Sequence, residues 1–406
     1  MEEREQRGLV IAAICKLTRK GNVWLVPSQS ADGTRYVVSP HDKEPHCTCL
    51  DHETRGCKCK HIYAVEFAMK REQNDDGSVT EVSTLTLTEK RTTYSQNWPK
   101  YNAAQVSEKD TLKLLLRELC RGIPEPRQAF GRPRLPIADA MFAACFKVYS
   151  TFSGRRFMTD LRDAHGEGYL GRCPSYNSIF AILESPGSFE ILRMLVAESA
   201  APLRALETHF SCDSSGFSGC RFDRWYDHKF GDRKIMRAWV KCHIMTGSKT
   251  NVVSAVEIHE QFAGDCVQLP HLLKATAKSF NVHEVSADMA YSTKENLSLV
   301  ENMGATPLIP FKSNASPATG GTWAKFYHYF HLHREAFLSR YHLRSNVEST
   351  FSMIKRKFGD SVRSKLDVSM KNEVLCKLVC HNICCLISAI HELGIEPTFW
   401  QAKALA

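Results

Sequence analysis

The sequence predicts an α/β protein with a mixed β-sheet in its C-terminal half, preceded by a helical region and a small module rich in cysteine and histidine. Three observations predict this organisation. From His209 onwards, three apolar strand-like runs precede alternating helix-like and strand-like segments, a pattern typical of a mixed sheet. Residues 107–205 show helical periodicity instead. Residues 8–72 combine short β-like runs with clustered Cys and His.

Composition bounds the class of protein. The chain has 406 residues, enough for two or three domains, and its apolar content of 43% is ordinary for a globular protein. No run of about 18 apolar residues predicts a membrane span, and residues 1–5 lack the apolar core of a secretory signal. We therefore expect an intracellular protein. A net charge of +9 fits either simple solubility or attraction to a polyanion such as nucleic acid.

Five segments are predicted along the chain. Residues 1–73 form the Cys/His module, the Ser/Thr-rich residues 74–106 a linker, 107–205 the helical region, 206–395 the α/β domain and 396–406 a tail. In the α/β domain, strands are expected near 210–211, 238–245, 252–257, 282–287 and 307–310. Helices are expected there near 265–279, 293–303, 334–358 and 370–393. In the helical region, Ser107 and Asp110 resemble a capping box ahead of a helix at 112–119.

Four residues of the predicted helix 334–358 point to phosphate chemistry. Tyr341, Arg344, Glu348 and Lys355 are spaced by 3, 4 and 7 residues, so they project within an arc of about 60°. A glutamate supplies a hard oxygen ligand for a divalent ion, an arginine grips a phosphate through two hydrogen bonds, and a lysine holds a neighbouring phosphate as a point charge. The alternative is a solvated helix face with i,i+4 ion pairs.

This spacing resembles a known signature. Tyr341-x2-Arg344-x3-Glu348-x6-Lys355 is similar to the Y-R-E-K signature of bacterial insertion-sequence transposases of the DDE type, and the resemblance covers residues 205–395. It implies a ribonuclease H-like mixed sheet with the glutamate on a flanking helix. It also implies two aspartates at the ends of neighbouring strands, and a helical region upstream that binds the terminal repeats of the element.

Sequence context selects the two aspartates. Asp213 follows the first apolar run of the domain and precedes small residues that let a phosphate approach, and Asp288 ends the strand after the helix. Both positions fit the layout that the resemblance implies. The competing acids are less well placed, and three of them alternate with bases in a polar run: Asp223, Asp227, Asp232, Glu257, Glu260 and Asp265.

The resemblance implies an activity, cofactors and partners. Asp213, Asp288 and Glu348 would hold Mg²⁺ (or Mn²⁺) for two-metal phosphoryl transfer that first cuts an element end and then joins it to target DNA. Double-stranded DNA would be the partner, with a homodimer pairing two ends. We would then expect the protein to be DNA-associated, in the cytoplasm or nucleoid of a prokaryote or the nucleus of a eukaryote.

A second motif lies near the N-terminus. Cys47-x-Cys49-x9-Cys59-x-His61 has the ligand types and number of a closed structural Zn²⁺ site. The pattern resembles the SWIM zinc finger, with a strand before the first cysteine and a helix after the histidine. Nearby Cys and His side chains are spare candidates for a ligand position: His46, His52 and Cys57. The alternative is scattered reduced cysteines, which the intracellular setting also favours.

Further basic residues are candidate DNA contacts. Arg132 and Arg134 flank a proline in a segment that resembles an AT-hook core, although a basic linker explains them equally well. Residues 153–156 (Ser-Gly-Arg-Arg) could open a DNA-contacting helix, and ordinary helix-start chemistry explains them nearly as well. A basic cluster at 340–365, which includes Arg356 and Lys357, is expected to bind backbone phosphates.

Two other functions stay open at this stage. A transposase-derived protein kept by a host for DNA binding would have the same fold, although binding alone does not require three acids in a phosphate cleft. A related metal-dependent DNA nuclease would use the same metals and hydrolyse without joining. The sequence favours the transposase over the first alternative and does not separate it from the second.

Overall fold

A computed structural model describes residues 3–28, 34–40, 44–72, 97–128, 130–131, 133–219, 239–260, 263–312, 314–317 and 320–400. The chain divides into two compact units, Met1–Thr93 and Tyr94–Ala406. The acids proposed from the sequence all belong to the second unit, and the Cys/His motif belongs to the first.

In its described residues, the first unit is a small antiparallel sheet with three helices. Its strands β1 to β4 are Thr18–Lys20, Val23–Pro27, Arg35–Ser39 and His46–Cys47, paired in that order. Its helices α1 to α3 are Glu3–Ile14, Leu50–Arg55 and Lys60–Glu72. The buried core is small and includes three of the motif's cysteines alongside a few larger side chains such as Ile11, Trp24, Val26, Val38 and Ile62. So little buried apolar surface favours a contribution from metal binding.

The second unit begins with six helices. They are α4 to α9: Trp98–Val106, Glu108–Arg121, Ile137–Ser150, Gly154–Gly166, Tyr176–Glu184 and Gly187–Ala200. Helix α4 lies inside the segment for which we predicted a linker. Its start is encoded locally, because the Asn97 side chain accepts a hydrogen bond from the Lys100 N–H (3.3 Å) and Pro99 occupies the first turn.

A five-stranded mixed sheet follows. Its strands β5 to β9 are His209–Ser218, Trp239–Gly247, Val253–Glu260, Glu284–Ala287 and Thr306–Leu308, and their order across the sheet is β7-β6-β5-β8-β9. Strands β5, β6 and β7 pair antiparallel, whereas β8 pairs parallel with both β5 and β9. Strand β5 is therefore central, with an antiparallel neighbour on one side and a parallel neighbour on the other.

Helices flank this sheet and complete the unit. They are α10 to α15: Leu269–Thr276, Lys294–Asn302, Gly321–Leu332, Arg334–Tyr341, Ser345–Phe358 and Asp367–Leu393. By length and composition alone α15 would pass as a membrane span, contrary to our expectation that no segment would, yet 78% of its most apolar window is buried inside the fold. That burial is what a core helix of a soluble protein shows, and α15 packs against α9 and α6.

The mixed α/β prediction is confirmed, and two local predictions are wrong. The segment 334–358 is not one α-helix, because a tighter 3₁₀ turn at His342–Arg344 separates α13 from α14. The capping box at Ser107 does not form. The Ser107 hydroxyl instead donates to the Ala103 carbonyl (2.8 Å), because α4 ends immediately before α5 begins and its last carbonyls need donors.

Asn382 in α15 joins three elements, which makes it a test of the packing. Its side-chain amide donates to the carbonyls of Val196 and Val253 (3.0 and 2.8 Å) and accepts from the Val253 N–H (2.8 Å), and the residue is fully buried. We expect Asn382→Ala to lower the free energy of unfolding by about 3 kcal/mol, since buried backbone groups lose their partners. Urea denaturation measures this loss. Asn302→Ala, at an exposed helix position, is the control and should change stability by less than about 0.5 kcal/mol.

Candidate functional site

Asp213 and Asp288 emerge at the same edge of the sheet. The parallel pairing of β5 with β8 ends at Cys212 opposite Ala287, so each aspartate is the next residue along its own strand direction. Asp213 still lies within β5 and pairs with Ile244 of β6, whereas Asp288 has left β8. Because parallel strands run in one direction, this register places the two side chains beside one another.

Glu348 approaches this edge from α14. The helix buries an apolar face that includes Val347, Phe351 and Ile354 and packs on β5 and β6, which leaves its polar face over the strand that carries Asp213. Glu348 is the most accessible of the three acids. Its side chain is 56% exposed, against 22% for Asp213, and Asp288 is half-buried.

The charges of the three acids act on one another at Asp213. Burial raises the pKa of its carboxyl above the ordinary value, and the negative charges of Asp288 and Glu348 raise it further. The Ser214 N–H, which donates to Asp213 Oδ1 (2.8 Å), and the Arg344 guanidinium act in the opposite direction. An anionic Asp213 therefore benefits from an additional positive charge at this position.

Arg344 bridges two of the acids. Its Nη1 lies 3.4 Å from Asp213 Oδ2, and its Nη2 donates to Glu348 Oε1. Among the described residues, the three carboxylates do not form a group whose ligand atoms all lie within 4.8 Å of one another. The guanidinium therefore lies between Asp213 and Glu348 and partly neutralises both.

A cleft of about 550 Å³ opens beside these acids. Its walls include Asp213, Glu348, Lys355 and Arg356. Lys355 Nζ donates to the Ser215 hydroxyl (2.7 Å) and lies 5.4 Å from the centre of the Phe217 ring, so strand β5 holds its ammonium at the wall. Arg356 is exposed. Asp360 also lines it, so two cations and three acids share one cleft, which suits a phosphodiester together with a metal ion.

Side chains behind the acids fix their positions. Asp288 Oδ1 accepts from the Ala290 N–H (2.8 Å) and so caps a short turn that buries Tyr291. Behind Asp213, the Ser214 hydroxyl donates to Asp265 Oδ1 (2.9 Å), which also binds Lys241 (2.7 Å). The sequence offered Asp265 as a competing acid, and this ion pair gives it a supporting position instead.

The other residues predicted from the sequence differ in where they lie. Lys357 donates to Glu108 of α5, so its charge is already paired and it does not line the acidic cleft. Tyr341 ends α13 and stacks on Phe337 with ring centres 5.6 Å apart, and its hydroxyl interacts with Arg344, so this side chain does lie beside the acids. Arg134 is exposed in the segment before α6. Four of the predicted or competing residues lie outside the described part of the chain: Arg132, Asp223, Asp227 and Asp232.

In the first unit, the Cys/His motif forms a compact buried cluster. The ligand atoms of Cys47, Cys49, Cys59 and His61 all lie within 4.8 Å of one another. His61 Nδ1 is 3.8 Å from Cys47 Sγ and 3.9 Å from Cys59 Sγ. A tetrahedral zinc ion with Zn–S of about 2.3 Å and Zn–N of about 2.0 Å requires ligand separations of about 3.5–3.8 Å. The cluster is therefore compatible with zinc.

The elements around the cluster explain how it forms. Cys47 ends β4, Cys49 precedes α2, and Cys59 and His61 lie at the start of α3. Hydrogen bonds, first from Cys47 and then from His61, lower the pKa of the Cys59 thiol, against the effect of burial. The thiolate is the form that binds a metal ion.

The spare ligand candidates do not belong to this cluster. Cys57 Sγ accepts from Arg4 (3.0 Å), and His52 Nδ1 lies 2.8 Å from the Cys57 carbonyl oxygen. His46 packs edge-on against the His52 ring at 5.1 Å between centres. Cys57 is therefore a cysteine of the same loop with a different role, which makes it a matched control for zinc binding.

Comparison with known families bears on the second unit. Residues 204–383 match the family model of the transposase DDE domain. The match supports a DDE transposase. The matched segment, called the DDE domain below, contains the whole five-stranded sheet, the cleft, and Asp213, Asp288 and Glu348. A search of the curated proteins found no match.

The DDE match has a functional consequence of its own. A domain of this family implies a nuclease or transposase enzyme that acts on DNA. The family typically uses divalent metal, and carboxylate oxygens such as those at the sheet edge suit such ions. The match does not extend to the first unit or to helices α4 to α9.

Proposed function

We propose that the chain is an active transposase of the Y-R-E-K class, with a ribonuclease H-like catalytic domain that cleaves DNA at element ends and transfers the strand to a target. The observation that carries the proposal is the convergence of Asp213, Asp288 and Glu348 at one edge of a sheet inside a DDE domain. The class resemblance implies a mixed sheet with aspartates on neighbouring strands, and here Asp213 lies on β5 and Asp288 follows the parallel strand β8.

We assign Mg²⁺ or Mn²⁺ to these three carboxylates. Their hard oxygens fit the ion, and Asp213 is half-buried among like charges, so a cation stabilises it. When bound, the metal supplies activation of the attacking hydroxyl and stabilisation of the leaving oxygen. Asp288 is held for ligation by the Ala290 N–H, and Asp213 by the Ser214 N–H.

The basic residues of the cleft position the DNA strand in this proposal. Lys355, fixed by Ser215, presents its ammonium to a phosphate beside the acids. Arg344, which now bonds to Asp213 and Glu348, would be free to bind a phosphate if a divalent cation were held by these acids. Positioning and neutralisation are the main protein contributions to phosphoryl transfer.

The exchange at Arg344 predicts a measurable effect on metal affinity. Without DNA, Arg344→Ala should bind Mn²⁺ about fivefold more tightly than wild type, because the metal no longer displaces a guanidinium worth about 1 kcal/mol. Isothermal titration calorimetry measures this affinity. Arg356→Ala is the matched control, since Arg356 lines the same cleft and bonds to neither acid among the described contacts. Equal Mn²⁺ affinities for all three proteins would contradict the exchange.

The proposed function is tested with the DNA that flanks the gene. A plasmid carrying both flanking segments is incubated with the full chain and Mg²⁺, and the products are mapped by sequencing. We expect breaks at inverted repeats with free 3′-hydroxyl ends, followed by joining to a second plasmid. Breaks without joining would indicate a nuclease, and binding without breaks would indicate a DNA-binding protein.

We also propose that the N-terminal cluster is a SWIM-type zinc finger. The support is the ligand set Cys47, Cys49, Cys59 and His61. Strand β4 ends at the first cysteine, and the histidine is the second residue of helix α3. Such a module would give the chain a second recognition surface. A dimer on DNA is the expected assembly, because two element ends have to be paired.

A further inference from the structure

A second cavity lies in the helical part of the second unit. It encloses about 370 Å³ and is bounded by α6, the start of α7, the end of α8 and the segment between α14 and α15. Its lining contains the cations Lys147, Arg363 and Lys365. None of the three acids of the DDE domain lines it.

Lys147 is a buried charge without a direct partner. The residue is only 5% exposed, and within the described residues its ammonium makes no hydrogen bond or ion pair. Glu373 is the acid whose charge acts on it, but that carboxylate already accepts from the N–H groups of Arg363 (3.0 Å) and Ser364 (2.9 Å). Burial lowers the pKa of Lys147. An anion in the cavity would supply the missing partner.

The start of α7 lines the same cavity. Ser153 is the N-cap residue, and its side chain makes no capping hydrogen bond. The first N–H groups of this 13-residue helix, from Gly154 onwards, therefore lack a side-chain acceptor. Gly154 lines the cavity. A helix N-terminus carries partial positive charge and binds phosphate groups through such N–H donors.

The rim of the cavity is basic as well. Arg363 and Lys365 are exposed, and Glu184 is the acid among the lining residues. Glu184 is exposed at the rim, so water screens its charge, whereas Lys147 lies in the interior where charge interactions are stronger. The balance inside the cavity therefore favours an anion.

The cavity and the cleft of the DDE domain are lined by residues close together in the chain. Asp360 lines the cleft and Arg363 lines the cavity, and three residues span at most about 11 Å. The connecting segment is fixed to the sheet, because Ser218 N donates to the Asp360 carbonyl (3.1 Å) and Val362 N donates to the Ser218 carbonyl (2.8 Å). Phosphates of one DNA strand repeat every 3.4 Å or so along the axis. A strand leaving the cleft therefore reaches the cavity within a few nucleotides.

We propose that Lys147, the N-terminus of α7 and Arg363 form a binding site for a backbone phosphate of the DNA strand that leaves the catalytic cleft. This inference rests on the proposed function and names a substrate contact that the signature residues do not include. The site holds DNA by charge and by N–H donors, without reading its sequence.

The test is the salt dependence of DNA binding by the full chain without Mg²⁺. A fluorescent duplex of about 30 base pairs is titrated at several NaCl concentrations. We expect Lys147→Met and Arg363→Gln each to weaken binding about fivefold at 100 mM NaCl and to reduce the salt slope by about one. Lys278→Gln, an exposed cation in neither cavity, should match wild type.

The outcomes separate this site from the proposed function. Lys147→Met should raise the urea midpoint, because an unpaired buried charge is removed, and Arg363→Gln alters an exposed side chain, so both proteins should fold. If wild type binds DNA and both variants show the same salt dependence of DNA binding, the phosphate site is contradicted while the proposed function stands. A wild type that binds no DNA would overturn the proposed function and this inference together.

A second arm distinguishes DNA from free phosphate. Inorganic phosphate is titrated into wild type and Lys147→Met by calorimetry. We expect only weak binding, in the millimolar range, because a single phosphate lacks the neighbouring contacts of a DNA strand. Micromolar phosphate affinity that is lost in Lys147→Met, with an unchanged DNA slope, would assign the site to free phosphate and overturn the DNA contact.

Discussion

Asp288→Asn is expected to abolish Mg²⁺-dependent strand cleavage and to leave DNA binding largely intact. The substitution keeps the size of the side chain and the acceptor for the Ala290 N–H, so the turn after β8 should persist. It removes one of three negative charges that would hold the metal. Metal stabilisation is worth several kcal/mol in the transition state, so we expect a loss of at least about a thousandfold. Single-turnover cleavage of the flanking-repeat substrate measures it.

Asp360→Asn is the matched control for this variant. Asp360 lines the same cleft. It is bonded to the sheet through its backbone, because its carbonyl accepts from the Ser218 N–H. Its side chain should therefore be dispensable, with cleavage within about threefold of wild type. If Asp288→Asn cleaves as fast as this control, Asp288 is not a metal ligand.

Cys59→Ser is expected to remove zinc from the protein and to unfold the first unit. The unit has a small core of which the cysteines themselves are part, and zinc binding contributes roughly 10 kcal/mol or more to folding in comparable small domains. We expect zinc content to fall from about one ion per chain to near zero. Amide hydrogen exchange of α3 should rise at the same time, while the second unit keeps its protection. Elemental analysis and exchange by mass spectrometry measure both.

Cys57→Ser provides the comparison for zinc. Cys57 lies two residues before Cys59 and binds Arg4 rather than the cluster. This variant should retain a full zinc ion and wild-type protection of α3. If Cys57→Ser lost zinc and Cys59→Ser retained it, Cys57 rather than Cys59 would be the zinc ligand. A first unit that folds without metal would contradict the zinc assignment altogether.

The strands of the DDE domain were predictable because their signal is local. The apolar runs 252–257 and 282–287 alternate with helical segments, and both strands lie within a few residues of their expected positions. Strand β5 is much longer than the predicted 210–211, because it continues through small and polar residues to Ser218. Apolar periodicity encodes which side is buried, and a strand at the sheet centre reads as a continuous apolar run. The position of Asp288 after β8 followed from the same signal.

Long-range pairing could not be predicted. The sequence offered Lys357 as a DNA contact, yet it binds Glu108, which lies 249 residues earlier. Arg344 likewise bonds Asp213 across 131 residues, and no spacing rule within one helix reports such a contact. The burial of Lys147 belongs to the same class, because the periodicity of α6 alone does not show that α8 and the 363–369 segment close over it.

The central claim is that Asp213, Asp288 and Glu348 share divalent cations. Anomalous diffraction from crystals of the full chain soaked in Mn²⁺ tests it most directly. We expect anomalous peaks within about 2.3 Å of oxygens from all three residues, with Arg344 displaced from between Asp213 and Glu348. Manganese bound elsewhere, with the three carboxylates too far apart to reach common ions, would contradict the claim.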